Sequence, residues 1–150
     1  MNLSLTIRGT TFLRMGIAFV ILWFGSQQFI DPTQWIGFIP DSIIKMSPVG
    51  AITLVHLNGA LEIVFGTSLM LGLFTRISAL ILALHMADIT YVVGYTSIGV
   101  RDFGLMIAVI AVFLNGADHT TMDQFLFFRK PREEVPDKKL PLRVVINSLE

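Results

Sequence analysis

The chain has 150 residues, of which 53% are hydrophobic and 15% are charged, and its formal net charge is zero. Soluble proteins carry roughly 25% charged residues, so this low charge content and the mean hydropathy of +0.71 indicate that lipid is the solvent for much of the chain. The zero net charge argues against a nucleic-acid partner, and the absence of cysteine excludes disulfides, iron–sulfur clusters and cysteine-based zinc sites.

The first long apolar segment covers residues 12–30 and has roughly the 20 residues that a bilayer core requires. Arg8 and Arg14 resemble the charged start of a secretory signal, but no small-residue cleavage site follows the segment. We therefore expect a first transmembrane helix that is not cleaved, preceded by a short polar stretch.

Residues 31–48 form a loop of mixed polarity. Asp31 and Pro32 end the first helix, and Trp35 stands among isoleucines, prolines and single charges. This mixture predicts a short interfacial element between helices 1 and 2, with Trp35 as its anchor in the headgroup layer.

The next two spans cover residues 49–74 and 77–95. Only Thr75 and Arg76 separate them, which predicts a tight antiparallel helical hairpin. Neither span shows the alternating pattern of a membrane strand.

The fourth apolar core becomes long enough to cross a membrane only if it covers residues 98–117. That extension places Arg101 and Asp102 in the first turns of the helix. The predicted fold class is therefore all-α, a four-transmembrane-helix bundle with a short interfacial element between helices 1 and 2.

The end of the chain differs in composition from the spans. Thr120, Thr121 and Asp123 offer caps for a short aromatic segment. We predict a membrane domain over residues 1–128 and a cytoplasmic tail over residues 129–150, which combines three prolines with mixed charges.

The positive charges predict the orientation. With four spans both termini lie on one side, and that side carries nine of the eleven Lys and Arg residues, whereas Lys45 and Arg101 lie on the other. By the positive-inside rule the N- and C-termini are cytoplasmic. The expected location is the cell (inner) membrane, with the lipid bilayer as the first partner.

Glu62 lies near the middle of the second span, where a carboxylate is costly. Asn58 precedes it by one turn on the same helix face, and we expect Glu62 or Asp88 to pair with Arg101. The costly polar groups gather in the outer half and the centre of the bundle, so the cytoplasmic half is expected to be nearly all apolar.

These polar groups define one candidate cluster drawn from helices two, three and four. Its members are Asn58, Glu62, His85, Asp88, Tyr91, Arg101 and Asp102. Two interpretations remain open: a functional site, or a structural clamp in which hydrogen bonds join the helices. The sequence assigns no catalytic residue.

Other ligand types fit the pattern less well. His56 and His85 differ in depth by about 5 Å and no attachment motif is present, so haem is not expected. No tight spacing of ligands supports a metal site. Small residues are expected to be close-packing positions between helices: Gly16, Gly25, Gly59, Gly66, Gly72 and Gly104.

Three stretches together resemble the DoxX family of small four-helix membrane proteins, over about residues 8–128. They are LRMGIAFVILWFGSQQFIDP, NGALEIVFGTSLMLGLFTRISAL and RDFGLMIAVIAVFLNGADHTTMDQFL. The second matches a Glu-x-x-x-Gly helix followed by Gly and Arg. The third matches an Asp-x-Gly start and a Gly, then Ser/Thr-x-Asp, finish, here Gly116, Thr121 and Asp123. One departure is Gln28, where many relatives have a lysine.

The resemblance implies a subunit or accessory of a quinone-linked oxidoreductase system, with quinone as its cofactor and with other membrane subunits or further copies of the chain as partners. The alternative is a non-catalytic scaffold or assembly subunit. A transporter is less favoured, because four helices enclose little volume and no pair of broken helices marks a site.

Overall fold

The computed structural model describes residues 3–118 and 120–127, and this part of the chain is all-α. Four of its helices are long and apolar enough to cross a membrane, so the predicted four-transmembrane-helix bundle is confirmed. The predicted tail, residues 129–150, lies outside the described residues. In chain order the elements are α1 (Leu3–Ile30), a 3-10 helix (Pro32–Phe38), α2 (Asp41–Met46), α3 (Ala51–Leu71), α4 (Thr75–Val93), α5 (Ser97–Asn115) and α6 (Met122–Phe127).

The first helix is longer than predicted. It begins at Leu3 instead of residue 12, because residues 3–11 mix polar residues with Leu and Ile and contain no proline that would stop a helix. The part with the length and composition of a membrane span is Gly9–Ile30.

The ends of the other long helices have recognisable caps. Gly72 follows α3 with φ +69° and Gly116 follows α5 with φ +72°, a left-handed backbone that glycine adopts without steric cost. At the start of α5, the Thr96 hydroxyl accepts a hydrogen bond of 3.1 Å from the Gly99 N–H, as an N-cap residue does.

Residues 31–50, which we call the connector, contain two short helices where one short element was predicted. The Asp31 carboxylate begins the connector by accepting hydrogen bonds from Thr33 and Gln34. The 3-10 helix packs on α3 and α1, and the Trp35 ring meets the Phe24 ring edge-on, with 5.8 Å between centroids. The connector thus covers one end of the bundle, which we call the connector end. The opposite end contains the turn between α3 and α4, and we call it the hairpin end.

The long helices pack in pairs. α1 packs mainly against α3 and α4 mainly against α5, while contacts of α3 with α4 and of α1 with α5 complete the bundle. Phe19, Leu84 and Leu114 are 62%, 64% and 68% exposed, as expected where lipid surrounds the helices. The apolar core lies in the half nearer the hairpin end and comprises Ile17, Ala18, Ile21, Leu69, Ala79, Leu82, Ala83, Val109 and Val112.

Two facing glycines set the distance between α1 and α3. A Cβ atom added to Gly59 would lie 2.9 Å from the Gly25 carbonyl oxygen and 3.0 Å from the Gln28 Cβ. No side chain fits there, which is how small residues let membrane helices approach. Around Gly16 and Gly104 an added Cβ would meet no atom within 4 Å, so the predicted close-packing role is wrong for these two.

The prediction that the half of the bundle with the α3–α4 turn is nearly all apolar is wrong, because Arg14 is buried at the hairpin end and 2% exposed. Its Nη1 donates to the carbonyls of Leu69 and Met70 at 2.7 and 2.8 Å, and its Nη2 donates to the Thr120 hydroxyl at 2.9 Å. These carbonyls belong to the last turn of α3, where helix acceptors lack partners. Arg14 therefore ties α1 to the end of α3.

Asp123 was expected to cap the short segment now seen as α6, and the structure gives it another role. Its carboxylate accepts hydrogen bonds from the N–H groups of Phe74 and Thr75 at 2.6 and 2.7 Å and from the Thr75 hydroxyl at 2.8 Å. It therefore caps α4. Phe74 has φ +46°, which is unfavourable for a residue with a side chain, and the Asp123 carboxylate holds that backbone in place.

The Gly25–Gly59 contact predicts a loss of stability in Gly59→Ala. The added methyl group has a backbone carbonyl 2.9 Å away, so α1 and α3 must separate. We expect a lower melting temperature in detergent for Gly59→Ala, while Gly16→Ala melts at or slightly above the wild-type temperature, because alanine favours helix over glycine. Equal melting of the two variants would contradict the proposed contact.

Asp118 predicts an acid-sensitive contribution to stability. Burial alone would raise its pKa, but hydrogen bonds from Thr120 and Thr11 and the nearby Arg14 guanidinium lower the pKa below its usual value. A carboxyl group whose pKa is lower in the folded state stabilises the fold at pH values above its unfolded pKa of about 3.9. This stabilisation is lost as the pH falls through the pKa of the folded state.

We therefore expect the wild type to melt at a higher temperature than Asp118→Asn near neutral pH, with the difference shrinking below about pH 4. Thermal melting in detergent across this range measures it. A difference that stays constant down to the lowest pH would rule out an ionised Asp118 as its source.

Candidate functional site

A cavity of about 480 Å³ lies at the connector end, between the connector and the four long helices. This volume is in the range of pockets that hold small molecules and cofactors. Most of its wall is apolar or aromatic, and representative residues of that wall are Phe24, Trp35, Phe38, Val55, Ile89 and Leu105.

One wall of this cavity is polar and is formed by Gln28 of α1 with Asn58 and Glu62 of α3. Gln28 Nε2 donates to Glu62 Oε2 at 2.9 Å. Asn58 Nδ2 donates to Gln28 Oε1 at 2.9 Å and to Glu62 Oε1 at 3.2 Å. Gln28 and Glu62 are each 2% exposed. The buried carboxylate is therefore hydrogen-bonded, as burial of a charged group requires.

His85 reaches the same carboxylate from α4. Its Nε2 lies 3.3 Å from Glu62 Oε1, and the side chains of His85 and Glu62 are 11% and 3% exposed. His85 does not line the cavity, so it lies behind Glu62 as seen by a ligand. We call Gln28, Asn58, Glu62 and His85 the Glu62 network; it joins α1, α3 and α4.

Sequence spacing explains how the network assembles. Asn58 and Glu62 are four residues apart, so they share one face of α3. Gly59 lies on the side of α3 that meets Gly25, and Gln28 follows Gly25 by three residues on α1. The close approach of the two backbones thus brings the Gln28 amide within hydrogen-bond distance of Glu62.

The predicted pairing of Arg101 with Glu62 or Asp88 is wrong. Arg101 Nε donates to the carboxylate of the adjacent Asp102 at 2.7 Å, and its guanidinium carbon lies 4.2 Å from the centroid of the Phe24 ring. Stacking on an aromatic face stabilises a guanidinium, and the Arg101 side chain remains 39% exposed. Arg101 and Asp102 therefore form a separate pair in the cavity wall.

The remaining predicted residues lie outside both groups. Asp88 lines the cavity but is exposed and makes no hydrogen bond with the described residues. Tyr91 is 87% exposed and Tyr95 is 99% exposed, so neither contributes to the cavity. His56 stacks on Phe29 with 5.0 Å between ring centroids. The candidate cluster is thus narrower than the sequence indicated.

The chemistry available at the cavity is hydrogen bonding and proton exchange. Its polar wall offers amide donors and a carboxylate acceptor, and behind Glu62 the imidazole of His85 is a side chain of the kind that accepts and donates protons. Within the described part of the chain, no three His, Asp or Glu side chains are arranged to hold a metal ion. These features suit a ligand with an apolar ring and a few polar atoms.

A comparison with protein families matches the DoxX family model to residues 9–95, more than half of the chain. The chain belongs to the DoxX family. The matched range contains every residue of the Glu62 network, whereas Arg101 and Asp102 lie beyond its end. Comparisons with curated proteins and with solved structures give no match.

Gln28 is the one member of the network that does not belong to the cluster predicted from the sequence. The family resemblance marks it only as a departure from the lysine of many DoxX relatives. The available signal was an amide in the last turn of a membrane span, where an unpartnered polar group is costly.

The network predicts different effects for two adjacent glutamines. Gln28→Met removes a donor from the buried Glu62 carboxylate, which costs about 1–3 kcal/mol of folding free energy. We expect a clearly lower melting temperature for this variant in mild detergent. Gln27→Met is the matched control, because Gln27 makes no side-chain hydrogen bond with the described residues. Similar melting of the two variants would contradict the assigned network.

Proposed function

We propose that this DoxX-family protein is a membrane subunit of a quinone-linked redox system and that its cavity holds the quinone headgroup. The observation that carries the proposal is the position of the Glu62 network on the wall of an otherwise apolar cavity among membrane-spanning helices. A quinone headgroup is a flat apolar ring with two polar oxygen atoms. Ligand sites of this kind combine apolar walls with a few placed polar groups.

Individual residues fit this ligand in different ways. Phe24, Trp35 and Phe38 line the cavity with aromatic surface, which suits a planar ring. Gln28 and Asn58 place amides on the polar wall. Glu62 and His85 form the pair that can hold a proton.

The proposal requires a source of electrons outside the side chains of this protein. Conversion between a quinone and a quinol transfers both electrons and protons. The sequence has no cysteine and no cofactor-attachment motif. In this proposal the electrons therefore come from another membrane subunit or from a cofactor bound to the protein. The Glu62–His85 pair supports a role in the transfer of protons and not of electrons.

The charge distribution supports a location in the cell (inner) membrane with both termini in the cytoplasm. In this orientation the connector end, with its cavity, lies toward the outer face. Arg76 belongs to the cytoplasmic end and is exposed, so we assign it to topology and not to the site.

The binding proposal is tested with a short-chain ubiquinone and the purified full-length protein in nanodiscs. We expect saturable binding to the wild type. Ile89→Trp places an indole in the cavity, and we expect it to lower the affinity by at least about tenfold. Leu84→Trp, on the lipid-facing side of the same helix, is the control and should bind as the wild type does. Equal binding by the two variants would place the ligand elsewhere.

A scaffold or assembly role is the second candidate, and one observation favours it. The Glu62 network joins three helices by hydrogen bonds, as a structural clamp would. In that case the wild type binds no quinone, and the loss of stability in Gln28→Met is the only consequence of disrupting the network.

A further inference from the structure

The hydrogen bonds of Glu62 leave one acceptor position unused. A carboxylate has about four lone-pair positions. Oε1 is contacted by Asn58 Nδ2 and His85 Nε2, whereas among the described residues Gln28 Nε2 alone contacts Oε2. The carboxylate forms part of the cavity wall. One position on Oε2 therefore remains for a donor from the ligand.

The contacts also indicate which role the carboxylate has toward its neighbours. Both amide nitrogens are donors and cannot accept a hydrogen bond. Glu62 therefore accepts one hydrogen bond from Gln28 and one from Asn58.

Asn58 adds a second acceptor at the same wall. Its Nδ2 makes both of its hydrogen bonds within the network, while its Oδ1 contacts no donor among the described residues. Beside these two acceptors, the second N–H of Gln28 remains as a donor. Elsewhere in the cavity wall, the Arg101 guanidinium and the Trp35 indole also carry N–H donors. On the wall formed by Gln28, Asn58 and Glu62, the acceptors therefore outnumber the donors that remain for a ligand.

We propose that this site binds the reduced, dihydroxy form of its ligand in preference to the quinone, with Glu62 Oε2 accepting one ligand hydroxyl. The inference rests on the proposed function, because it names the form of the same ligand. A quinol hydroxyl can donate to Glu62 and can also accept from the N–H donors of the cavity, whereas the carbonyl oxygens of a quinone can accept but cannot donate to Glu62. Sites built for a hydroxyl discriminate strongly against analogues that lack it.

Other charged groups around the cavity are arranged differently. Asp88 of α4 is exposed, and Asp102 of α5 is engaged by Arg101 at 2.7 Å. Neither joins the amide contacts that orient Glu62. The assignment to Glu62 is therefore specific enough to be tested against Asp88.

The first experiment changes the ligand and leaves the protein intact. Affinities of the wild type in nanodiscs are measured under anaerobic conditions for a short-chain ubiquinone, the corresponding ubiquinol and the dimethyl ether of that ubiquinol. We expect the ubiquinol to bind about tenfold more tightly than the other two, the effect of one hydrogen bond to a charged group. Equal affinities for the ubiquinol and its dimethyl ether would overturn the proposal.

The second experiment changes the acceptor. Glu62→Gln replaces one carboxylate oxygen with a donor, and we expect the ratio of the ubiquinol affinity to the ubiquinone affinity to fall about tenfold, to near one. Its melting temperature, compared with that of the wild type, establishes that the variant is folded. If Asp88→Asn, and not Glu62→Gln, removes the preference, the assignment to Glu62 is wrong.

The two proposals fail in different ways. If the wild type binds none of the three ligands, the proposed quinone-linked function fails and the preference for the reduced form fails with it. If the wild type binds ubiquinone and ubiquinol equally, the cavity remains a quinone site and only the inferred preference is overturned.

Discussion

The packing at the connector end of this bundle depends on supplying hydrogen-bond donors to one carboxylate, that of Glu62, in a region with little water. An ionisable side chain inside a membrane span costs at least about 2.5 kcal/mol, so Glu62 needs donors from its neighbours. Those donors come from α1, α3 and α4. Gln28 can reach the carboxylate because Gly25 and Gly59 bring two backbones together. The polar contact and the close helix approach therefore require each other.

The two ends of the bundle are built by different means, and the difference explains how a cavity persists. The apolar core fills the half near the hairpin end, and Arg14 and Asp123 join helix ends there through charged hydrogen bonds. Such bonds are stronger than neutral ones. With the helices held at that end, the connector end need not collapse onto itself. A site supported by rigid elements keeps its geometry for a ligand.

The sequence was sufficient for the fold because membrane spans depend on length and polarity alone. The four spans and the place of Arg101 in the first turns of α5 required no knowledge of contacts. The partners of the polar side chains were harder to predict. Arg101 lies at a depth in the membrane from which it could reach several carboxylates, and its packing on the Phe24 ring is what holds it beside Asp102. Asp123 likewise caps a helix some 50 residues away in sequence. Tyr91 shares a helical spacing with Asp88, but spacing alone does not say which side faces lipid.

Gln28 has a consequence for the charge of the site. A lysine at this position, as in many DoxX relatives, would place a cation beside Glu62 and form a buried ion pair. The amide donates a hydrogen bond but carries no charge, so His85 is the titratable group within hydrogen-bond distance of Glu62 in the described structure. The amide at this position therefore orients the Glu62 carboxylate by a hydrogen bond and places no lysine cation beside it.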